Sequence, residues 1–308
     1  MITFFTTGKP FLGHDGIIQR NALQSWKLLH PDIEVILFGD DEGAAQVCAE
    51  LNLIHEPQVK RHESGAKYLN YMFARAQEIA RNKYVCFSNC DTVLFQDFLK
   101  AFEIARSWRK SFLIVGRRWD TDVTAPIDFQ QGVWDRDLRR LAASKGKQQD
   151  DRWIDFFLFN RGLYDSMPAL IVGHCYWDNW MVWMALSGSG VPVIDVSQFV
   201  TAVHQNHGYN AKFGRTKGGR TDPLSVWNLE AIGGASHTRT MLSATHRISS
   251  DGRIERNFWH YVPIRWMRKI GHPLLYDVWL PAWHFALNIT RPVRLALGLT
   301  SKESGFRF

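Results

Sequence analysis

The feature that most constrains the fold is a run of apolar residues, Tyr84–Ser88, which ends at the polar triplet Asn89-Cys90-Asp91. A run that is apolar at nearly every position is typical of a strand buried on both faces, as in the centre of a parallel sheet. The preceding stretch, Ser64–Arg81, has apolar residues at helical spacing and predicts an amphipathic helix with Ser64 as its N-cap. A buried strand directly after a helix indicates a chain in which the two elements alternate.

The same alternation extends over the first 116 residues. The patterns predict, in turn, a strand at Ile2–Thr6, a helix at Gly16–Leu29, a strand at Glu34–Phe38, a helix at Ala44–Leu51, a second strand segment at Thr92–Phe95, a helix at Asp97–Ser107 and a strand at Phe112–Gly116. This order predicts an α/β fold with a single mixed, mostly parallel sheet flanked by helices. Ligands of such sheets bind beyond the carboxyl ends of the strands, where the triplet lies.

The second half of the chain is less regular. Residues 119–149 are polar and predict a flexible or inserted segment. Trp153–Leu163 and Asp178–Leu186 are apolar again, and Val191–Val196 predicts a late strand. Residues 205–255 are rich in Gly, Asn, His, Arg and Ser, which is typical of substrate-facing loops.

Asn89 and Asp91 are the first candidates for chemistry. Alternate residues of a strand face the same side, so both side chains are expected to point into one site. A carboxylate at a strand end can hold a divalent cation, which neutralises a diphosphate leaving group, and an amide two positions earlier can bind a ribose hydroxyl. For the triplet alone, a turn aspartate with a neighbouring asparagine is the alternative interpretation.

The helix, the central strand, the triplet and the following Thr92–Phe98 together resemble the donor-binding unit of the glycosyltransferases with the A-type fold (GT-A), which carry an Asp-x-Asp motif at this place. In the order of its elements, the resemblance covers roughly residues 1–210. It implies a nucleotide-sugar donor and a Mn²⁺ or Mg²⁺ ion held by Asp91. The chain departs from the motif in having Asn89 at its first position, which weakens the metal site by one charge.

The resemblance also implies further contacts to donor and metal. In many A-type enzymes a histidine or aspartate from the late region completes the metal site, which makes His204 and His207 candidate ligands; histidines that cap or stack in a loop are the alternative. In these enzymes the loop after the first strand contacts the nucleotide base. In this chain a basic loop after residue 208 is suited to bind the diphosphate; a solvated basic loop is the alternative. The residues assigned to donor binding, besides Asn89 and Asp91, are Thr6, Thr7, Lys67 and Lys212.

Two more carboxylates are candidates for catalysis. Asp178 heads a predicted helix, where a carboxylate caps the helix or, in inverting A-type enzymes, deprotonates the acceptor hydroxyl, with Trp177 as a sugar platform. Asp155 interrupts an apolar run, where an acidic residue is costly to bury unless it is paired or used. Three charged residues are expected to line the same cleft or to form surface ion pairs: Arg117, Arg118 and Asp120.

Charge and cysteine content restrict the class of protein. Residues 256–308 contain eight Lys and Arg and two Asp and Glu, so the net charge of +7 belongs mainly to this tail, and a nucleic-acid-binding body is not expected. The tail is also aromatic, which suits either peripheral contact with an anionic membrane or a helical cap on the body. The four cysteines show no Cys-x-x-Cys spacing and predict free thiols. Without a leader-like or spanning segment, a cytoplasmic location is expected, with the tail optionally on the membrane face.

Together these patterns predict a glycosyltransferase that transfers a sugar from a nucleotide-sugar to a glycan or lipid-linked acceptor. The catalytic domain is expected at 1–255, with a donor half at about 1–118 and an acceptor half at about 119–255, followed by the extension 256–308. Two alternatives stay open: a sugar nucleotidyltransferase of the same fold and a non-catalytic module that binds carbohydrate or membrane. No P-loop, dinucleotide-binding or nucleophile-elbow motif is present.

Overall fold

The computed structural model describes residues 1–208 and 219–257. Its strands, in chain order, are β1 (Ile2–Thr7), β2 (Glu34–Phe38), β3 (Ile54–Glu56), β4 (Tyr84–Ser88), β5 (Thr92–Leu94), β6 (Leu113–Val115), β7 (Trp119–Thr121), β8 (Lys147–Gln148), β9 (Phe156–Asn160), β10 (Val193–Asp195), β11 (Ala202–Gln205), β12 (His246–Ile248) and β13 (Ile254–Arg256). Its α-helices are α1 (Gly13–Lys27), α2 (Ala44–Leu51), α3 (Leu69–Ile79), α4 (Gln96–Trp108), α5 (Trp134–Lys145), α6 (Trp177–Trp183) and α7 (Pro223–Ala231). A π-helical turn, Met184–Gly188, continues α6.

Nine strands form the larger sheet, in the order β13-β12-β10-β6-β9-β4-β1-β2-β3. Neighbouring strands are parallel except where β9 pairs with β4 and β6 and where β12 pairs with β13. The predicted α/β fold with a mixed, mostly parallel sheet flanked by helices is therefore confirmed. The antiparallel strand β9 lies beside the central β4, which brings the start of β9 next to the carboxyl end of β4.

A second, four-stranded sheet was not expected from the sequence. Its order is β5-β11-β7-β8, and β5 is the segment that follows Asn89-Cys90-Asp91. The chain therefore does not resume the central strand after the triplet but enters this smaller sheet. The triplet joins the two sheets, and β11 pairs antiparallel with β5 directly beside it.

The core lies on both faces of the larger sheet because successive strand residues point to opposite sides. Phe4 faces α1, α2 and α4, and its ring stacks on Trp26 at 5.2 Å. Phe5, the next residue, faces α3 and α6, and its ring meets Phe73 at 4.8 Å. A third, smaller core lies under the second sheet, between β5, β11 and α5.

The start of the helix after residue 60 was predicted wrongly. α3 begins at Leu69 rather than near Ser64, and Ser64 is not its N-cap. The intervening residues turn at Gly65, with φ +83°, and Arg61 and Lys67 form an isolated antiparallel bridge. The first amide of α3, on Leu69, donates to the carbonyl of Leu170 at 2.7 Å, so a distant loop replaces the expected cap.

Residues 119–149 were wrongly expected to be a flexible or inserted segment. They contain β7, α5 and β8. Leu138 and Ala142 of α5 are buried in the third core, and Trp134 stacks on Phe95 with ring centroids 5.5 Å apart. A few apolar residues at helical spacing are sufficient to hold this polar helix on the sheet. Residues 205–255 likewise contain more than loops, because α7, β12 and β13 lie there.

The four cysteines are free thiols, as predicted. Cys48, Cys86 and Cys90 are buried, and Cys175 is half-buried. Burial raises the pKa of Cys48 to about 11, and it raises the pKa of the Cys86 thiol as well. Thiols that stay protonated at neutral pH are poor nucleophiles, so these residues serve as core rather than as reactive groups.

Residues Met1–Asn257 form one compact unit. The boundary proposed at 255 and the helical character of the aromatic, basic extension remain predictions, because 258–308 lie outside the described residues. Within residues 1–208 and 219–257, none of the helices has the length and apolar character needed to cross a bilayer.

Replacement of Phe73 tests the core between α3 and the sheet. Phe73 is fully buried and contacts the rings of Phe5 and Phe159. We expect Phe73→Ala to lower the free energy of unfolding by about 3–5 kcal/mol, because it removes a buried ring and leaves a cavity. Equilibrium urea denaturation measures the change. Leu28→Ala, at an exposed position, is the control and should cost less than about 0.5 kcal/mol; a similar loss in both variants would contradict this packing.

Candidate active site

The site forms where the triplet meets β11. In the second sheet His204 pairs with Thr92 on one side and with Asp120 on the other. The backbone N–H of Gln205 donates to the carbonyl of Asp91 at 3.1 Å, and the Gln205 side-chain amide donates to the same oxygen at 3.0 Å. The register of β11 therefore fixes the position of His204 and, two residues beyond the strand, of His207 relative to Asp91.

The three candidate metal ligands, Asp91, His204 and His207, lie together in one cluster. His204 Nδ1 lies 3.2 Å from Asp91 Oδ1, and His207 Nε2 lies 3.1 Å from Asp91 Oδ2. One ligand atom from each of the three residues lies within 4.8 Å of the others, close enough for a single metal ion. The donor set of one carboxylate and two imidazoles fits a divalent transition metal.

The acidic and basic side chains of the cluster shift one another's pKa values. Burial works against a charged imidazole, but the carboxylates of Asp91 and Asp155 outweigh it and raise the pKa of His204 to about 10. Burial also opposes the Asp91 carboxylate, yet His204 and His207 hold the pKa of Asp91 well below its usual range. In the metal-free protein His204 is therefore protonated and lies between the carboxylates of Asp91 and Asp155. A metal ion bound to His204 would replace that proton.

Asn89 does not join this cluster. Its amide donates to Asp155 Oδ1 at 2.9 Å, and its backbone N–H donates to the Asp155 carbonyl at 2.8 Å. The first position of the motif therefore binds the start of β9 in this structure. Its expected contact with a ribose hydroxyl stays a prediction.

Asp155 is almost completely buried, with 2% of its surface exposed. Its two oxygens accept from Arg118 Nη1 at 2.7 and 3.0 Å and from the Thr92 hydroxyl at 3.2 Å, and His204 Nδ1 lies 3.2 Å away. Burial alone would raise the pKa of Asp155, but the Arg118 guanidinium and His204 lower it. With both oxygens so engaged, Asp155 positions the surrounding groups; its predicted catalytic role stays a prediction.

Arg118 and Asp120 lie in the site, as the sequence suggested. The Arg118 guanidinium bridges Asp155 and Asp120, with Nε 2.8 Å from Asp120 Oδ1. Gln149 donates to the other oxygen of Asp120 at 2.6 Å. Arg117 instead belongs to an isolated bridge between its backbone and Ile154.

Asp178 lies in the first turn of α6, as predicted, and is half-buried. One carboxylate oxygen accepts the backbone N–H of Asn179 at 2.9 Å. Burial raises the pKa of Asp178 to about 7, and the nearby charge of Asp155 adds to the rise while Arg118 opposes it. A carboxyl that titrates near neutral pH is suited to take up a proton.

Trp177 is not the sugar platform suggested by the sequence. Only 5% of its surface is exposed, and its ring packs against Phe87 and Phe157 at 5.4 Å each. The indole is core material that attaches α6 to the sheet.

The turn before α6 is strained and strongly supported. Tyr176 has φ +82°, a left-handed backbone conformation that residues other than glycine rarely adopt. Two residues of α7 hold the turn: Ser225 Oγ accepts the Cys175 N–H at 2.9 Å, and the Asn228 amide donates to the Cys175 carbonyl at 3.0 Å. Strain maintained in this way is typical of functional sites, and no pattern in the sequence indicated it.

Lys67 lies beyond the carboxyl ends of β1 and β2. Its ammonium donates to the Thr7 hydroxyl at 2.8 Å, to the Gly8 carbonyl at 2.7 Å and to the Asp41 carboxylate. Burial lowers the pKa of Lys67 against the opposing charge of Asp41. Asp41 also lines an open pocket together with Asp40, Glu42, Gly43, Ala45, Gln46 and His55. Asp41 was missed, although its place after a strand end was a usable signal.

Of two other donor-binding candidates, Thr6 and Lys212, only Thr6 lies in the described residues. Thr6 is fully buried, and its hydroxyl donates to the Ser88 carbonyl at 2.6 Å, so it links β1 to β4. Lys212 lies in 209–218, outside the described residues. Lys9, not selected from the sequence, reaches the cluster, with Nζ 3.1 Å from His207 Nδ1 and 3.2 Å from Asp15 Oδ1.

No protein-family model matches the chain, and no curated protein matches its sequence. Solved structures are similar to it. Staphylococcus aureus TarS 1–349 in complex with UDP is 15% identical over 39% of this chain and 36% of that chain, with a TM-score of 0.31. The match thus spans about a third of the TarS chain. Mycobacterium tuberculosis glucosyl-3-phosphoglycerate synthase is 11% identical over 68% of this chain and 73% of that chain, with a TM-score of 0.42.

A further structure of the M. tuberculosis synthase, in complex with Mg²⁺ and UDP, is 11% identical over 68% of this chain and 72% of that chain, with a TM-score of 0.39. Structures that contain UDP are thus among those similar to this chain.

The raised pKa of Asp178 makes the stability of the metal-free protein depend on pH. The folded chain keeps a proton on Asp178 up to about pH 7, whereas the unfolded chain releases it near the ordinary value of 3.8. Stability is therefore lost as pH rises through this window. We expect Asp178→Asn to be more stable than the wild type at pH 8, and the difference to exceed that at pH 4.5 by about 1–3 kcal/mol.

Urea denaturation at the two pH values measures this difference. Asp165→Asn, at an exposed position, is the matched control and should stay within about 0.5 kcal/mol of the wild type at both values. An Asp178→Asn difference that does not change with pH would show that the carboxyl is solvated.

Proposed function

We propose that the chain is a glycosyltransferase that moves a sugar from a nucleotide-sugar donor to a glycan or lipid-linked acceptor. The observation that carries the proposal is the Asp91–His204–His207 cluster at the carboxyl end of the central strand of an α/β sheet. Ligands of such sheets bind at this edge. A diphosphate leaving group needs cationic stabilisation there, and this cluster can hold a cation.

The donor set favours Mn²⁺ over Mg²⁺. Mg²⁺ prefers oxygen ligands in octahedral geometry, whereas two of the three ligands here are imidazoles. When bound, the ion would supply positive charge to the diphosphate as the sugar departs. Asp91 would be the anionic ligand, and β11 would hold His204 in place through its pairing with β5.

The nucleotide is proposed to lie over the ends of β1 and β2. The Thr7 hydroxyl, the Lys67 ammonium and the Asp41 carboxylate meet there, next to an open pocket. The hydroxyl can donate a hydrogen bond to a base or a ribose or accept one from it, the carboxylate can accept one, and the ammonium adds a positive charge. Thr6, Asn89 and Lys212 are also proposed to bind the donor. The Thr6 hydroxyl donates to Ser88 and the Asn89 amide donates to Asp155. Lys212 lies outside the described residues.

Asp178 is proposed as the general base that takes the proton from the acceptor hydroxyl, which makes the enzyme inverting. It is half-buried, heads α6, and has a pKa of about 7. The charge of Asp155 raises that pKa further, and the charge of Arg118 opposes the rise. The cytoplasmic location, the lipid-linked acceptor and membrane contact through 256–308 remain parts of the proposal that rest on the sequence.

Metal-dependent donor binding is the first test. We expect Mn²⁺ to raise the melting temperature, and a UDP-, GDP-, CMP- or dTDP-sugar to raise it further in the presence of Mn²⁺ than in its absence. Asp91→Ala and His207→Ala should lose the Mn²⁺-dependent part because each removes one ligand. Differential scanning fluorimetry measures the shifts.

His30→Ala serves as the control for the histidine variant because His30 lies outside the cluster and bonds to the backbone of Asp32. If no sugar nucleotide stabilises the wild type with or without Mn²⁺, the proposal fails. Release of pyrophosphate from a nucleoside triphosphate and a sugar phosphate would instead identify a nucleotidyltransferase.

The role of Asp178 is tested separately. We expect Asp178→Asn to lower sugar transfer by roughly 10²–10⁴-fold because the general base is lost, while the Mn²⁺-dependent thermal shift with donor is retained. In the wild type, kcat should rise with pH through about 7 and level off above it, since the base acts when ionised. Transfer that is retained in Asp178→Asn, or that falls with rising pH over this range, would eliminate this residue as the base.

A further inference from the structure

Trp153 has an unusual position at the edge of the site. Of its surface, 42% is exposed, although most of the tryptophans in the described residues are wholly or partly buried. It lies two residues before Asp155, just upstream of β9. Its backbone N–H donates to the Asp150 carbonyl at 3.3 Å, which fixes the chain at this point.

The indole is held in one orientation by Arg118. The guanidinium carbon lies 4.8 Å from the centroid of the Trp153 ring, a cation–π contact. Arg118 is itself immobilised, with 7% of its surface exposed and with hydrogen bonds to Asp155 and Asp120. A ring that rests on a fixed guanidinium loses little further freedom when a ligand covers it.

The same guanidinium connects the indole to the reacting groups. Arg118 contacts Trp153 and Asp155 together, so both side chains lie on one side of the chain. Asp155 is in turn 3.2 Å from His204, which belongs to the Asp91 cluster. Through Arg118 and Asp155, Trp153 is therefore connected to the cluster of proposed metal ligands.

We propose that the exposed indole of Trp153 is the stacking platform for a pyranose ring of the sugar that is transferred or of the sugar that accepts it. A pyranose presents a face of C–H groups, and an exposed aromatic ring at a polar cleft offers the matching apolar surface. Trp177, the tryptophan beside the proposed base, is buried and has no face to offer. The inference rests on the proposed function, because it assigns the sugar subsite of that function.

The test compares Trp153→Ala and Trp153→Phe with Trp227→Ala, which removes a second exposed indole, 40% exposed, from α7. Isothermal titration calorimetry in Mn²⁺ gives the Kd of UDP and of the UDP-sugar that stabilises the wild type most. Saturation-transfer NMR with methyl glucoside, methyl mannoside and methyl N-acetylglucosaminide, recorded in the presence of UDP and Mn²⁺, reports binding at the acceptor side.

If the ring holds the donor sugar, Trp153→Ala raises the Kd of the UDP-sugar by roughly tenfold and leaves that of UDP within about twofold, since UDP has no pyranose. If it holds the acceptor, the Kd of both ligands is unchanged, and the saturation-transfer signal of a methyl glycoside is lost. In either case Trp153→Phe retains most of the binding, and Trp227→Ala matches the wild type.

Equal weakening of UDP and UDP-sugar in Trp153→Ala would mean damage to the fold of the site and would overturn the inference. An unchanged donor Kd together with unchanged methyl glycoside signals would also overturn it, with the proposed function intact. If the wild type binds no nucleotide-sugar, the proposed function fails. Saturation-transfer NMR with the methyl glycosides in the absence of UDP then tests the Trp153 platform by itself. A signal lost on Trp153→Ala supports the platform, and no signal in the wild type refutes it.

Discussion

The arrangement of the site depends on one buried carboxylate, that of Asp155. A charge with 2% exposure is costly unless its neighbours compensate it, and Arg118, Asn89, Thr92 and His204 all do so. These partners come from different parts of the chain: the end of β4, the strands β5 and β11, and the segment before β7. The polar contacts of Asp155 therefore connect the two sheets. Asp155 also lies next to the Asp91–His204–His207 cluster, through its contact with His204.

Asp155 and Asp178 show how two carboxylates in one cleft acquire different properties. Asp155 has a guanidinium and an imidazole against it, so it stays ionised despite complete burial. Asp178 accepts the backbone N–H of Asn179, and burial raises its pKa to about 7. Environments that push the pKa values of neighbouring acids apart separate the charge-holding role from the proton-accepting role.

Local patterns predicted the elements that depend on local sequence. The apolar run at β4 and the positions of β2 and α2 followed from periodicity, and the late histidines were matched with Asp91 through a family resemblance. The start of α3 depends on a carbonyl from Leu170, about 100 residues away in sequence, and no local pattern contains that partner. Likewise no local pattern distinguishes Trp177 from Trp153. In the structure Trp177 packs into the core as part of α6, whereas Trp153 is exposed.

The asparagine at the first motif position follows from the same buried charge. Asn89 donates to Asp155 Oδ1 at 2.9 Å, whereas an aspartate there would place a second carboxylate against the first and raise the pKa of one of the two. The proposed metal site would have one anionic ligand, Asp91, and two imidazoles that are neutral when they bind metal. A divalent ion in this set keeps a net charge of about +1, whereas two carboxylates would cancel it. The departure from Asp-x-Asp thus leaves the proposed ion with more charge to offer a diphosphate, at the expense of weaker electrostatic retention of the ion itself.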